Sequence, residues 1–382
     1  MVCTKCDGIE ESEMRFHILG LAHTKTNEEY MPCAYTQKVL KLIPMIQSLG
    51  HEIIHYGAEG SIVPCEHVTV VSDEIQKQAY GDYNWRKEFF KHNQNDIAYR
   101  TFNENAVREI NARKHSDDFL LIPFGGYQLP VIKGTNLYLT VEMGIGYDGY
   151  CTDFRVFESY AWMHYIYGKY NLSAAWYDAV IPNYFNVDDF TFNDKPQGYF
   201  SYIGRLIPDK GVQTAIDTAR ILGVKLKIAG QGDLSRFNTK DADVEYLGTV
   251  DAKGRDELLR NAELNFLPTQ YIEPFGGTAV ECQLCGTPAL TTDWGVFNET
   301  VLHGITGYRC RTLDDFVWAA RNVKSLDRKT IRNWAASNFS MERVSKMYGE
   351  YFFKLHGLYD KGWYKINEDR AELDWLRKRW PK

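Results

Sequence analysis

Three short stretches of this chain hold side chains suited to chemistry. The first reads Gly204-Arg205-Leu206-Ile207-Pro208-Asp209-Lys210-Gly211 and runs into a helical pattern. Two cations on a glycine-flanked turn at a helix N-terminus suit a diphosphate, because the exposed N–H groups and the helix dipole add to their charge. An exposed turn with solvated Arg205 and Lys210 is the plainer alternative. The second stretch, Gly230-Gln231-Gly232-Asp233, lets backbone approach a ligand closely. The third runs from Glu273-Pro274-Phe275-Gly276-Gly277-Thr278 to Glu281 and sets two carboxylates eight positions apart across a helix start. A carboxylate about one turn inside a helix, as at Glu281, suits bidentate hydrogen bonding to a ribose diol, while the N–H groups of Gly277 and Thr278 suit phosphate. Two exposed acids on an ordinary helix would show the same spacing.

These residues need strands and helices to hold them. Short apolar runs alternate with longer amphipathic stretches, the pattern of β-α units around a parallel sheet. Arg15–Leu21 reads as a strand, Tyr35–Leu49 as a helix with Val39, Leu42, Ile43 and Ile46 on one face, and His51–Tyr56 as a second strand. Phe119–Pro123 and Tyr138–Val141 read as buried strands, and Trp85–Lys114 as polar, aromatic and less regular. The organisation resets near Ile181-Pro182-Asn183, followed by a polar, turn-rich segment. Then come strand Tyr199–Ile203, helix Val212–Leu222, strands Lys225–Ala229 and Glu245–Leu247, helix Arg255–Asn261 and strand Leu264–Leu267. That order predicts a second doubly wound α/β sheet, whose ligands bind beyond the carboxyl ends of its strands. The expected domains are 1–190, 197–355 and a tail over 356–382, where Trp363, Trp375 and Trp380 among charges suggest a helix packing back on the body.

The 382 residues carry 44 Lys and Arg against 50 Asp and Glu, with 44% hydrophobic and 14% aromatic residues. Such a chain has the apolar material to fold, which excludes a disordered or fibrous protein. A net charge of -6 argues against a protein that coats nucleic acid. No stretch approaches the roughly 18 apolar residues of a membrane span. The polar start of the chain lacks the apolar core of a signal peptide, so the expected location is cytoplasmic, with peripheral membrane contact through Arg377-Lys378-Arg379 left open. Eight scattered cysteines do not form a disulfide framework. Cys3-Thr4-Lys5-Cys6 would bind zinc only if two more ligands converged, and Cys282 and Cys285 fall where small buried residues are usual.

Taken together, GRLIPDKG, GQGD, EPFGGTAVECQLCGTP and TDWGVFNETV, in that order, resemble the C-terminal domain of the large retaining glycosyltransferase family 4, over roughly residues 197–355. The resemblance implies a GT-B fold, two Rossmann-like domains facing a central cleft. It implies that Arg205 and Lys210 bind the diphosphate of a nucleotide sugar, that Glu281 holds the ribose hydroxyls, and that Glu273 contacts the transferred sugar. Gly204, Gly230 and Gly232 line the same loops, and Phe275, Gly276, Gly277 and Thr278 belong to the segment that presents backbone to sugar and phosphates. Val250 would lie near the base, and Glu299 matches a position near the donor pocket.

The implied reaction is retaining transfer of a hexose to a hydroxyl, from a UDP-sugar in preference to a GDP-sugar, without a metal or other cofactor. The implied acceptor, built by the N-terminal domain, is a glycan or glycolipid. In that domain the glycine pair usual before the first helix is missing, the loop reading Thr24-Lys25-Thr26-Asn27-Glu28-Glu29-Tyr30-Met31-Pro32-Cys33. Family members often place a His after the strand that ends here near Glu142. Glu142 itself, or His164 among aromatic residues, is the candidate to replace it. Two other readings stand beside this one: transfer to a hydroxylated nucleic-acid base, for which the aromatic and basic residues between Tyr80 and Lys114 would stack on a strand, and a nucleotide-sugar-binding module without transfer.

Overall fold

A computed structural model describes residues 13–361 other than 86, 87 and 89. The expected tail helix over 362–382, with its Trp residues and Arg377-Lys378-Arg379, and the Cys3–Cys6 pair lie outside the described residues. The strands are β1 Arg15–Leu19, β2 Glu52–Ala58, β3 Glu66–Val71, β4 Phe119–Ile122, β5 Leu139–Ile145, β6 Phe154–Phe157 and β7 Ala179–Val180, then β8 Phe200–Ile203, β9 Leu226–Ala229, β10 Val244–Tyr246, β11 Leu264–Leu267, β12 Ala289–Thr292 and β13 Gly307–Cys310. They form one seven-stranded sheet, ordered β3-β2-β1-β4-β5-β6-β7, and one six-stranded sheet, ordered β10-β9-β8-β11-β12-β13. The pairings are parallel, as in β1 with β2 and β4, and β8 with β9 and β11. Parallel sheets are covered on both faces, which is why β4, β8 and β11 are buried along their whole length.

The chain divides into two compact units. Of the described residues, the first holds those up to Met143, Tyr150–Phe154 and those from Phe352 onward. Its core packs Leu19, Tyr56, Leu120 and Ile122 of the sheet against Tyr99, Phe102, Ala106 and Ile110 of the helix Ile97–Asn111. That helix falls inside the segment expected to be irregular. Its buried stripe contains Tyr99 and Asn103 among polar neighbours, so apolar periodicity is faint. The Asp96 side chain accepts from the N–H of Tyr99 at 2.8 Å and caps its start.

The second unit comprises Gly144–Gly149 and Arg155–Tyr351. Here the helix Val212–Leu222 lies where its pattern predicts, burying Val212, Ala215, Ile216 and Ala219 at helical spacing. The core places these against Phe200, Tyr202, Leu226, Ile228, Leu264 and Phe266. A fully buried ring such as Phe266 contributes about 2–3 kcal/mol relative to an exposed one. The parallel order puts the loops after β8, β9 and β11 at one edge of this sheet, the carboxyl edge.

Candidate active site

After β8 the backbone passes Gly204 and Arg205 and makes a single 3-10 turn, Pro208–Lys210, before the helix Val212–Leu222. Gly211 joins the two at φ 70°, and a Cβ there would stand 2.0 Å from the carbonyl oxygen of Pro268. Glycine therefore allows this turn to press against the loop after β11. The Gln270 N–H donates to the Asp209 carbonyl at 2.8 Å across the same seam. As a result Lys210 Nζ lies 2.5 Å from Glu273 Oε2 and 5.1 Å from the centroid of Tyr271. The two side chains are 18% and 14% exposed, so water screens the pair only in part. Burial, together with the charge of Glu273, pushes the Tyr271 phenol up. Arg205 is exposed, and its guanidinium has no ion pair or hydrogen bond among the described residues.

Gly230 shows what the second glycine-containing loop does in the fold. At φ 142° it lies so close to the loop after β8 that a Cβ would meet the Gly204 carbonyl oxygen at 1.9 Å. Gly232 lies against Leu206 in the same way, and the Leu206 N–H donates to the Gln231 carbonyl at 2.9 Å. These glycines bind the two loops to each other through backbone. Val250 is half-buried in the turn after β10.

The helix Gly277–Leu284 starts at Gly276, in the left-handed region, with no side-chain cap on its first N–H groups. Thr278 is half-buried in that first turn. Phe275 is 2% exposed, stacked on Phe185 and edge-on to Phe339, and so anchors the loop to the core. Glu281, 8% exposed, accepts from Arg255 at Oε1 over 2.8 Å. Its Oε2 is buried and has no hydrogen-bond partner among the described residues. A buried carboxylate oxygen without a donor costs about 1–3 kcal/mol, and a ligand hydroxyl would remove that cost.

Two of the expected carboxylates already have partners in the fold, and His164 lies at the surface. Both carboxylate oxygens of Glu299 accept backbone N–H groups, from Tyr160 at 2.9 Å and Ala161 at 2.8 Å, so Glu299 caps the helix Tyr160–Tyr170. Ser159, at the cap position of that helix, donates to the Pro274 carbonyl at 2.6 Å and ties it to the loop of Glu273. Glu142 is completely buried, and its Oε2 accepts from the N–H groups of Cys151 at 2.7 Å and Thr152 at 3.3 Å. His164 is exposed on the helix Tyr160–Tyr170, between the rings of Tyr160 and Tyr167, and is not a core residue. Cys282 and Cys285 are buried, and burial pushes both thiols up. Among the described residues no group of three or more His, Cys, Asp or Glu could hold a metal ion. No helix there is long and apolar enough to cross a membrane.

Tyr271, Arg255 and Ser159 did not stand out in the sequence. Tyr271 has a local signal, two positions before Glu273. Arg255 and Ser159 have none, since each reaches its partner across the fold, 26 and 115 positions away.

Residues 186–336 match the family described as glycosyl transferases group 1. Glycogen synthase of Mycobacterium tuberculosis is 35% identical over 125 residues, 30% of this chain and 30% of that protein. Phosphatidyl-myo-inositol mannosyltransferase of the same organism is 29% identical over 157 residues, 37% of this chain and 42% of that one. The matched stretch thus spans less than half the length of these relatives. Among solved structures, a glycosyltransferase involved in avilamycin A biosynthesis superposes with a TM-score of 0.64 at 17% identity, covering 90% of this chain and 98% of that one. Sucrose-phosphate synthase from Thermosynechococcus elongatus gives 0.63 at 15%, covering 90% and 99%. Anabaena HepE in complex with UDP and glucose gives 0.62 at 13%, covering 88% and 99%. The two parallel sheets match the GT-B fold of these structures.

Proposed function

We propose that the chain is a retaining glycosyltransferase that moves a hexose from a nucleotide diphosphate sugar to a hydroxyl of a glycan or glycolipid. The observation that carries this reading is the state of three charged groups on the loops of the group 1 domain. Among the described residues Arg205 is an exposed cation without a partner and Glu281 holds a buried carboxylate oxygen with no donor, while Lys210 stands at a helix start beside Glu273. The cations suit a diphosphate, the orphaned oxygen suits a ribose hydroxyl, and Glu273 suits the sugar between them. UDP is favoured as the nucleotide, supported by the UDP in the Anabaena structure of the same fold.

In this reaction the bond between the anomeric carbon and the diphosphate oxygen breaks, and a bond to the acceptor oxygen forms. The acceptor proton passes to the departing phosphate. Negative charge grows on that phosphate, so Arg205 and Lys210 bind it more strongly in the transition state than in the ground state. Losing one such contact is expected to cost about 2–4 kcal/mol, two to three decades in rate. The test is nucleotide release from a panel of UDP- and GDP-sugars without acceptor. Slow hydrolysis of one donor, abolished by Glu273→Ala and by Lys210→Ala, is expected. Absence of both binding and turnover for every one of these donors would sink the reading.

A further inference from the structure

In the first unit, the helix Ile97–Asn111 and the segment Tyr127–Pro130 border a trough of about 430 Å3. That volume lies within the range of small-molecule sites. Its floor is Asn103, only 5% exposed, whose Nδ2 donates to the Tyr127 carbonyl at 2.9 Å. Asn103 Oδ1 is buried with no partner among the described residues, an acceptor that still needs a donor. Around the rim stand Asn95, Arg100 and Glu104, all exposed, and none of their side chains has a hydrogen bond or ion pair among the described residues. Arg100 and Glu104 are four apart, a spacing at which opposite charges on a helix commonly pair. Val107, Tyr127 and Pro130 supply its apolar lining, beside Gln94.

This lining selects a ligand class. One cation beside one anion gives no net preference for charge, and phosphate binding would call for clustered cations. A purely apolar ligand would leave Asn103 Oδ1 and the three rim groups unmatched. A pyranose ring has C–H faces for Tyr127 and Pro130 and edge hydroxyls that both donate and accept. We propose that this trough binds a pyranose unit of a saccharide. In the transferase reading it holds the glycan acceptor. Only that purpose rests on the reading, because saccharide binding is measured without turnover.

The test uses the full chain and saturation-transfer NMR with methyl glucoside, cellobiose and maltotriose, each with and without UDP. At least one saccharide is expected to bind, with UDP leaving its signal unchanged. The surface double variant Arg100→Ala, Glu104→Ala and the floor variant Asn103→Leu are each expected to weaken that binding roughly tenfold or more. Thermal midpoints identify any variant that fails to fold, and the surface pair keeps the test valid if Asn103→Leu does. No signal from any of the three, a signal removed by UDP, a signal displaced by inorganic phosphate, or one that survives the double variant would each overturn the proposal. Donor hydrolysis is read separately, so loss of this site leaves the donor reading standing.

Discussion

Lys210 and Glu273 neutralise each other across 2.5 Å, so a diphosphate that takes Lys210 must first draw it from Glu273. A partly exposed pair of this kind is worth about 1 kcal/mol. Glu273→Gln should therefore bind free UDP about fivefold more tightly than the native chain, even as it lowers donor turnover. Lys210→Ala should bind UDP more weakly, and Lys210→Ala combined with Glu273→Gln should show none of the gain. Calorimetric titration with UDP decides this, and an unchanged or weakened affinity in Glu273→Gln would show that the pair does not compete with the nucleotide. Glu281 makes a different prediction. Glu281→Ala removes the orphaned oxygen and should weaken UDP binding by about 1.5–3 kcal/mol, ten- to a hundredfold. Equal affinities for UDP in the two chains would separate Glu281 from the ribose.

At the scale of elements, the loops are held by contacts that a motif does not display. Glu299 and Ser159 bind the start of the helix Tyr160–Tyr170 to the loop that carries Glu273. Glu299→Ala strands two N–H groups and should cost about 2 kcal/mol of stability, read as a lower denaturation midpoint. UDP affinity should change much less than in Glu281→Ala. An equal loss of UDP binding would instead place Glu299 beside the donor. Gly230→Ala forces a Cβ to within 1.9 Å of the Gly204 oxygen at a backbone angle that L residues rarely adopt. It should separate the loops after β8 and β9 and lower both stability and nucleotide binding, which thermal melts with and without UDP would register.

For the molecule as a whole, three buried imidazoles set a pH dependence. Burial keeps His23 and His55 neutral down to about pH 3, and lowers His17 although Asp118 beside it pulls the other way. His23 is held by the Tyr99 hydroxyl at 2.7 Å and lies against His92; His55 contacts Thr26 and His67, and His17 sits between Tyr56 and Asp118. Between the unfolded value near 6.5 and these lowered values, the unfolded chain binds more protons than the folded one. Stability is thus full above pH 6.5 and falls as pH drops through that window, by at most about 1.4 kcal/mol per pH unit for each imidazole. Denaturant midpoints should be lower at pH 5 than at pH 7, with a shallower decline in His23→Asn. Identical midpoints at the two pH values would contradict this.

Much of the fold was legible because it is local. The spacing of Val212, Ala215, Ile216 and Ala219, the apolar runs of β8 and β11, and the glycine-flanked turn before Lys210 are set by helix period, pleat and turn chemistry within a few residues. The helix Ile97–Asn111 was not legible from its periodicity, since tertiary burial of Tyr99 and Asn103 outweighs their weak apolar pattern. By itself the sequence determined the order of β-α units and the presence of Arg205, Lys210, Glu273 and Glu281 on loops and helix starts. Only the tertiary structure decided that Lys210 meets Glu273, 63 positions on, that Arg255 takes one oxygen of Glu281 and leaves the other orphaned, and that Glu299 caps a helix begun 139 positions earlier. The reason is physical: such pairings depend on which strands lie side by side and where glycine lets backbones touch, and neither is recorded in the spacing of residues along the chain.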